Sequence, residues 1–447
     1  MAAPDFIVSK FGKKMKNTRN LIAASAIASC VVWAAYASAA EPIRHEDWVL
    51  EPSLMVTLGY INGKNQDFGS SSSIIGTKID RSSTRFEGMA LPGLKLTHET
   101  EGFGDFYGAG SVMGAFSHGD TDAVGLARGN PRRAAVEELY VGWKSAGLFP
   151  QLGQDALKLS AGRQAFYIGD GFLIGDGHLD QGRDGAGLMG LRLAFDRAVV
   201  AQLDHENLHV DMFDLLGNYD IDALDYRDRL GMRGVNIEWR GEENLLGLTR
   251  LRTRDADVEQ RDDLDVSMVR LNFANVVGVP DLDINAGYVD QKKSGNEHAW
   301  YAGIEYTFSD KPWRPSLKYM HSEFSPGYDL LAYGCMDTFG SWYQGKITDN
   351  IWFFKNSRVN MYKVSVQPTD TLKAGLMFYD TRLYDKRGVS AYSDFSSDIN
   401  LYAEWQATER LSAYFLGGYA RPGKAAEEIL GSNDDSVLLA AALTWYY

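Results

Sequence analysis

This sequence predicts an all-β chain closed into an antiparallel transmembrane β-barrel of about 18 strands. Three observations carry the prediction. Apolar and polar residues alternate with a period of two from Glu41 to Tyr447. The stretches between alternating runs are by turns short and long, as the two rims of a membrane barrel require. Beyond Glu41 there is no run of about 18 apolar residues. A membrane structure is then open to the chain only as a closed sheet, in which every backbone group finds a partner.

Composition agrees with this class. The 447 residues include 46 Gly, 23 Tyr, 21 Phe and 10 Trp against 12 Pro and 2 Cys, which excludes a disordered chain and a disulfide scaffold. A soluble chain of this length forms two or three domains, and a barrel is the exception to that arithmetic. The N-terminus carries Lys10, Lys13, Lys14, Lys16 and Arg19, then a short apolar stretch from Leu21 to Tyr36, then Ala37-Ser38-Ala39-Ala40. Residues 1–40 therefore read as a secretory signal peptide, with Met15 as an alternative start and 41–447 as the barrel. An uncleaved anchor is disfavoured by the cleavage-type ending. A lipoprotein box at Ile27-Ala28-Ser29-Cys30 is disfavoured because the apolar run continues past the cysteine. Cleavage removes Cys30 and leaves Cys335 alone, so no disulfide is available.

Taken in order, the predicted strands are 48–61, 80–99, 103–116, 136–145, 156–165, 187–195, 198–216, 230–240, 245–253, 264–274, 282–290, 298–308, 314–322, 355–366, 371–380, 398–406, 411–419 and 436–447. The first pairs are set by the long segment 62–79 and the short Thr100–Gly102; further on, 117–135, 166–186, 217–229, 323–354, 381–397 and 420–435 are long and rich in Gly, Ser or Asp. Gly241–Asn244, Gln367–Asp370 and Ala407–Arg410 are short. Within 198–216 the apolar phase slips near His205–Leu208, which marks a bulge or an extra turn. In 298–308, Trp300, Ala302, Ile304, Tyr306 and Phe308 face one way and Tyr301, Gly303, Glu305 and Thr307 the other. In 398–406, Ile399, Leu401, Ala403 and Trp405 oppose Asn400, Tyr402, Glu404 and Gln406. The last strand sets Val437, Leu439, Ala441, Leu443, Trp445 and Tyr447 on one face, and its aromatic end resembles the C-terminal signature of outer-membrane barrels. An apolar outer face and a polar inner one suit a lipid-bathed, water-filled barrel in the outer membrane.

The net charge is −14, so cargo preference turns on where the charges lie. The faces assigned to the lumen carry Lys95, Lys144, Lys158, Arg192, Arg240, Arg250, Arg252, Arg270, Lys318, Lys363 and Lys373, against Glu51, Glu99, Glu138, Glu238, Asp283, Glu305 and Glu404. Arginine and lysine lining a pore favour anions, arginine through bidentate hydrogen bonds to carboxylates. The bland reading is that these arginines only pair with carboxylates on neighbouring strands and stiffen the wall. Tyr140, Tyr301, Tyr402 and Tyr414 are expected inside, where they either fill space or slide against sugar rings.

Four stretches together resemble the alginate export family: Glu137-Glu138-Leu139-Tyr140-Val141-Gly142-Trp143, Leu159-Ser160-Ala161-Gly162-Arg163-Gln164, Gly169-Asp170-Gly171, and Gly187-Leu188-Met189-Gly190-Leu191-Arg192-Leu193. The resemblance implies an 18-stranded outer-membrane barrel that exports an anionic polysaccharide such as alginate, guided by luminal arginines and fed by periplasmic secretion partners. The alternative is a general or anion-selective porin for small organic acids; an outer-membrane enzyme at the rim is the third reading. Lipid and a solute are the expected partners, and nucleic acid is not.

Two motifs point elsewhere. His205-Glu206-Asn207-Leu208-His209 satisfies the H-E-x-x-H zinc-protease pattern, but it sits between alternating runs instead of in a helix, so a turn accounts for it. Gly169-Asp170-Gly171 and Gly175-Asp176-Gly177 suggest Ca2+ at the 169–177 loop only weakly, lacking the remaining ligands; a loop folded inward as a constriction accounts for them equally. No catalytic residue and no cofactor is expected.

Overall fold

The structure, a computed structural model, describes residues 41–447 except 75, 121–128, 180–182, 190–191, 222–225, 294 and 335–338. The signal-peptide expectation for residues 1–40 lies outside the described residues, as do Gly190, Leu191 and Cys335.

Among the described residues, eighteen strands run round the barrel in chain order: β1 (Trp48–Lys64), β2 (Ser82–His98), β3 (Asp105–Gly119), β4 (Arg132–Lys144), β5 (Leu157–Ala165), β6 (Ala194–His205), β7 (Leu208–Ile221), β8 (Tyr226–Arg240), β9 (Asn244–Arg254), β10 (Asp265–Phe273), β11 (Leu282–Lys292), β12 (Asn296–Thr307), β13 (Ser316–Phe324), β14 (Ser357–Thr369), β15 (Leu372–Leu383), β16 (Asp394–Thr408), β17 (Leu411–Pro422) and β18 (Ser436–Tyr446). Each pairs antiparallel with the next, and β1 closes on β18 from Met55↔Tyr446 to Lys64↔Val437, so no edge is left for lipid to face. Two short pieces add to the sheet: Ile43–His45 doubles back on the start of β1, and His178–Leu179 pairs parallel with β7.

Alternation explains both faces. On β18, Leu439, Leu443 and Trp445 are exposed while Leu438, Ala440, Ala442 and Tyr446 are buried. Exposed Phe106, Trp239, Phe273, Tyr306, Trp405 and Trp445 sit near the short-turn rim, and Tyr60, Phe86 and Phe116 sit toward the long-loop rim. These are the two aromatic girdles of a lipid-facing belt. At Ser111/Val112 the β3–β4 register shifts, and this bulge turns both Glu137 and Glu138 away from lipid.

Three expected elements differ. Segment 198–216 is two strands: the phase slip is a tight turn in which His205 pairs with Leu208 and Glu206 adopts φ 50°. Of the expected strand 187–195, only Ala194 and Phe195 are strand; the described residues 187–189, 192 and 193 belong to a long inward segment that begins at 166. Its apolar residues Leu188, Met189 and Leu193 are buried inside the barrel, where they imitate a strand's alternation. The segment 217–229, expected as a long loop, is mostly strand.

Candidate functional site: a lumen filled by two inward segments

The buried core sits inside the barrel. It is supplied largely by segment 166–193, through Phe166, Ile168, Phe172 and Ile174, and by segment 325–356, through Leu331, Phe339, Trp342 and Ile351. The two segments meet. Ile174 and Ala332 form a parallel bridge, the Gly175 and Asp176 amides both donate to Ala332 O at 2.7 and 2.9 Å, and the Gly334 amide donates to Gly171 O at 3.1 Å.

Each segment is tied to the wall by buried polar groups. Asp170 receives the hydroxyls of Tyr301 on β12 and Tyr343 on the second segment, at 2.5 and 2.6 Å, under a cluster of Phe172, Tyr301 and Tyr343 rings. Glu87 on β2 accepts the Leu188 and Met189 amides at 2.8 and 3.0 Å while pairing with Arg85 at 2.9 Å. Arg261 pairs with Asp228 of β8 and with Asp329 of the second segment; its side chain is 1% exposed and that of Asp228 0%. Burial disfavours charge on Arg261, and Asp329 and Asp228 more than offset this, so its pKa lies above the ordinary guanidinium value. In the second segment a short helix, α1 (Lys346–Trp352), docks on β16: the Thr348 amide and hydroxyl donate to Asp398 at 3.0 and 2.6 Å, and the Lys346 amide donates to Asn400 at 2.9 Å. Gly59 and Gly169 leave the space this needs. A Cβ on Gly59 would lie 2.4 Å from Met189, and one on Gly169, at φ +57°, 2.1 Å from the Arg270 guanidinium.

Below the inward segments, toward the short-turn rim, the wall is charged. Asp283, Glu305, Lys318 and Lys363 stand opposite one another on β11 to β14, and Lys373 opposes Glu404 across β15 and β16. Lys318 Nζ reaches Glu305 at 3.5 Å; Lys363 Nζ donates to Gly340 O at 3.0 Å and lies 5.3 Å from the Tyr402 ring centre. On the far wall Lys144 binds Asp105 and Asp155, Lys158 binds Asp204, and Lys95 binds Glu51. His209 is held between Asp204 and Asp211 at 2.6 and 2.9 Å, so the H-E-x-x-H histidines belong to a hairpin and its polar network.

The expected site residues divide accordingly. Arg270 is luminal and buried against Glu238; Arg240 is luminal near the short-turn rim and pairs with Glu238 at 2.6 Å. Arg192 lies on the first inward segment, paired with Glu137 and Asp184. Arg250 and Arg252 are corrected: they share the outer face with Leu246 and Leu248, while Thr249, Leu251 and Thr253 point in and are buried. The alternation holds along the strand, but its outer face turns polar at Arg250, so polarity alone does not mark the lumen there. Tyr301, Tyr402 and Tyr414 point inward and are covered by the inward segments, and Tyr140 stacks edge-on with Tyr107 at 6.2 Å. In the 169–177 loop Asp176 accepts the His178 amide at 2.9 Å, and Asp170 is committed to the tyrosines. Among the described residues no three His, Cys, Asp or Glu side chains gather as a metal site. The Arg261 and Asp170 anchors had no local sequence signal, because their partners lie far away along the chain.

The fold and its inward segments define a closed antiparallel barrel of 18 strands with the architecture of porins. Among solved structures, the chain resembles OccK3 (OpdO) of Pseudomonas aeruginosa, with a TM-score of 0.58, 12% identity and coverage of 89% of this chain and 95% of that one. OccAB1 of Acinetobacter baumannii matches at 0.58 and 11%, covering 89% and 96%. OpdK of P. aeruginosa, solved with vanillate, matches at 0.53 and 12%, covering 89% and 99%. No family model and no curated protein matches the sequence. These likenesses show the fold of a porin barrel and lend no support to the alginate export family.

Proposed function

We propose that the protein is an outer-membrane channel through which small hydrophilic solutes, small organic acids foremost, diffuse past the inward segments. The observation that carries this reading is the meeting of segments 166–193 and 325–356 inside the barrel. An 18-strand barrel has a wide lumen, and filling it leaves passage suited to small molecules and not to a folded-out polymer. Lys318 and Lys363, opposite each other, and Lys373 on the next strand support an anion bias, moderated by Glu305 and Glu404. Vanillate, the ligand named for OpdK, is a small aromatic carboxylate, and a lysine-bearing wall beside tyrosines suits that class here too. Delivery by a signal peptide over residues 1–40 belongs to the same reading.

The test is conductance of the purified barrel in a planar bilayer under a salt gradient. The reading expects a reversal potential of anion-selective sign and current block by millimolar aromatic carboxylates. A cation-selective potential, or block by polyuronate alone, would overturn it.

A further inference from the structure

A groove of about 710 Å3 crosses the lipid-facing wall from β1 to β6, within the size range of small-molecule sites. Small residues set its floor. Leu96, Gly108, Val141, Ala161 and Val199 lie opposite one another on β2 to β6, and Gly108 and Ala161 recess the wall between the exposed Leu96, Val141 and Val199. His98, Phe106 and Trp143 stand in the next row toward the short-turn rim and wall the groove from below. A chain lying in it touches protein on three sides, where the convex wall elsewhere offers one.

The groove climbs with the tilt of the strands. Counted from the strand ends His98, Asp105, Lys144, Leu157 and His205, its five positions stand two, three, three, four and six residues above the short-turn rim. That is about 5 Å at Leu96 and about 16 Å at Val199, for about 3.4 Å per residue and a tilt of about 40°. It starts in the aromatic girdle, where Trp48 stacks on His98 with ring centres 4.3 Å apart, and enters the belt over five strand spacings, or about 24 Å. Its two ends differ in chemistry. The high end, at Ala161 and Val199, is apolar. The low end opens beside Glu46, Asp47 and Glu101, all exposed and none paired with a cation among the described residues. Arg44, beside them, is held by Glu99 at 3.1 Å.

We propose that this groove binds one phospholipid with an amine-bearing headgroup, of the phosphatidylethanolamine class, in the leaflet on the short-turn side. One acyl chain follows the groove from the girdle into the belt. The headgroup ammonium meets Glu46, Asp47 and Glu101 and the exposed Trp48 ring, which attracts a cation at its face. A headgroup of net negative charge would face three free carboxylates instead, so charge selects the zwitterionic lipid. The proposal is independent of which solute the lumen passes.

Native mass spectrometry of the full barrel tests it, after extraction in mild detergent from vesicles of equal phosphatidylethanolamine and phosphatidylglycerol. Wild type is expected to retain a single phosphatidylethanolamine. Gly108→Phe is expected to lose it, because the new side chain enters the groove; a Cβ there meets Tyr140 O at 3.7 Å, an ordinary contact, so the strand accommodates it. Ala302→Phe, on the outer face of β12 across the barrel, is expected to keep the lipid. Changing Glu46, Asp47 and Glu101 to their amides is expected to keep a lipid and abolish the preference for ethanolamine over glycerol. Folding of each variant is checked by its slow migration in unheated detergent gels. The proposal is overturned by a wild-type barrel that retains no phospholipid or prefers phosphatidylglycerol, or by a mass of two chains in place of chain plus lipid. Retention by Gly108→Phe, equal loss from Ala302→Phe, or a headgroup preference that survives the three amides overturns it as well.

Discussion

The Arg261 anchor gives the sharpest handle on how the lumen is kept filled. Its guanidinium joins Asp228 of the wall to Asp329 of the second inward segment, with side chains 1%, 0% and 11% exposed. Arg261→Met keeps the bulk and removes the charge, leaving two carboxylates without their cationic partner. Breaking a buried pair in this way costs about 3 to 5 kcal/mol. Asp228 is fixed on its strand, so the relief available is for residues 328–333 to leave the wall and carry Asp329 into water. At about 1.4 kcal/mol per factor of ten, even the lower figure shifts the docked-to-released ratio about 100-fold. Single-channel recording should show larger and noisier conductance than wild type. Arg261→Lys keeps the charge but not the bidentate hold on Asp329, and should fall between wild type and Arg261→Met. Combining Arg261→Met with Asp228→Asn and Asp329→Asn should recover much of the quiet state, because no unpaired charge then remains. If Arg261→Met conducts like wild type while still folded, the segment is not held by this anchor and the reasoning fails.

Other consequences are checked more simply. Neutralising Lys318, Lys363 and Lys373 together should move the reversal potential toward cation selectivity, since all three stand on the luminal wall. Neutralising Arg250 and Arg252 should leave it unchanged, since both face outward; a shift would place them back in the lumen. Gly169→Val should disturb the first inward segment, its new side chain colliding with Arg270 at a backbone angle that disfavours it, and should raise conductance noise without unfolding the barrel. Leu443→Arg, in the lipid belt of β18, should lower stability in lipid by about 2 to 4 kcal/mol, read by urea titration in vesicles.

Much of the barrel was legible because lipid and lumen impose opposite demands on successive residues. Strands such as 298–308 and 436–447 satisfy both demands along their whole length, and each matches the structure to within two residues. The count of about 18 was reached through two errors that cancel. Segment 187–195 was read as a strand because a segment folded into the lumen buries Leu188, Met189 and Leu193 as a wall would. The hairpin at Glu206 was read as an interruption within one strand, though the phase slip at His205–Leu208 pointed to it. Periodicity separates two faces but does not say which is outside once a strand rises above the belt, and this is why Arg250 and Arg252 were misplaced. The anchors at Asp170, Glu87 and Arg261 join residues 33 to 173 positions apart, a relation that only the closed fold creates.

On the proposed function, the inward segments limit what passes the barrel. Proteoliposomes carrying the protein can be offered a labelled benzoate-sized carboxylate and a labelled oligouronate of six or more sugars, in the same assay. Uptake of the small acid with exclusion of the oligomer, and admission of the oligomer by Arg261→Met, is the predicted result. Ready passage of the oligouronate through the wild-type barrel would contradict it.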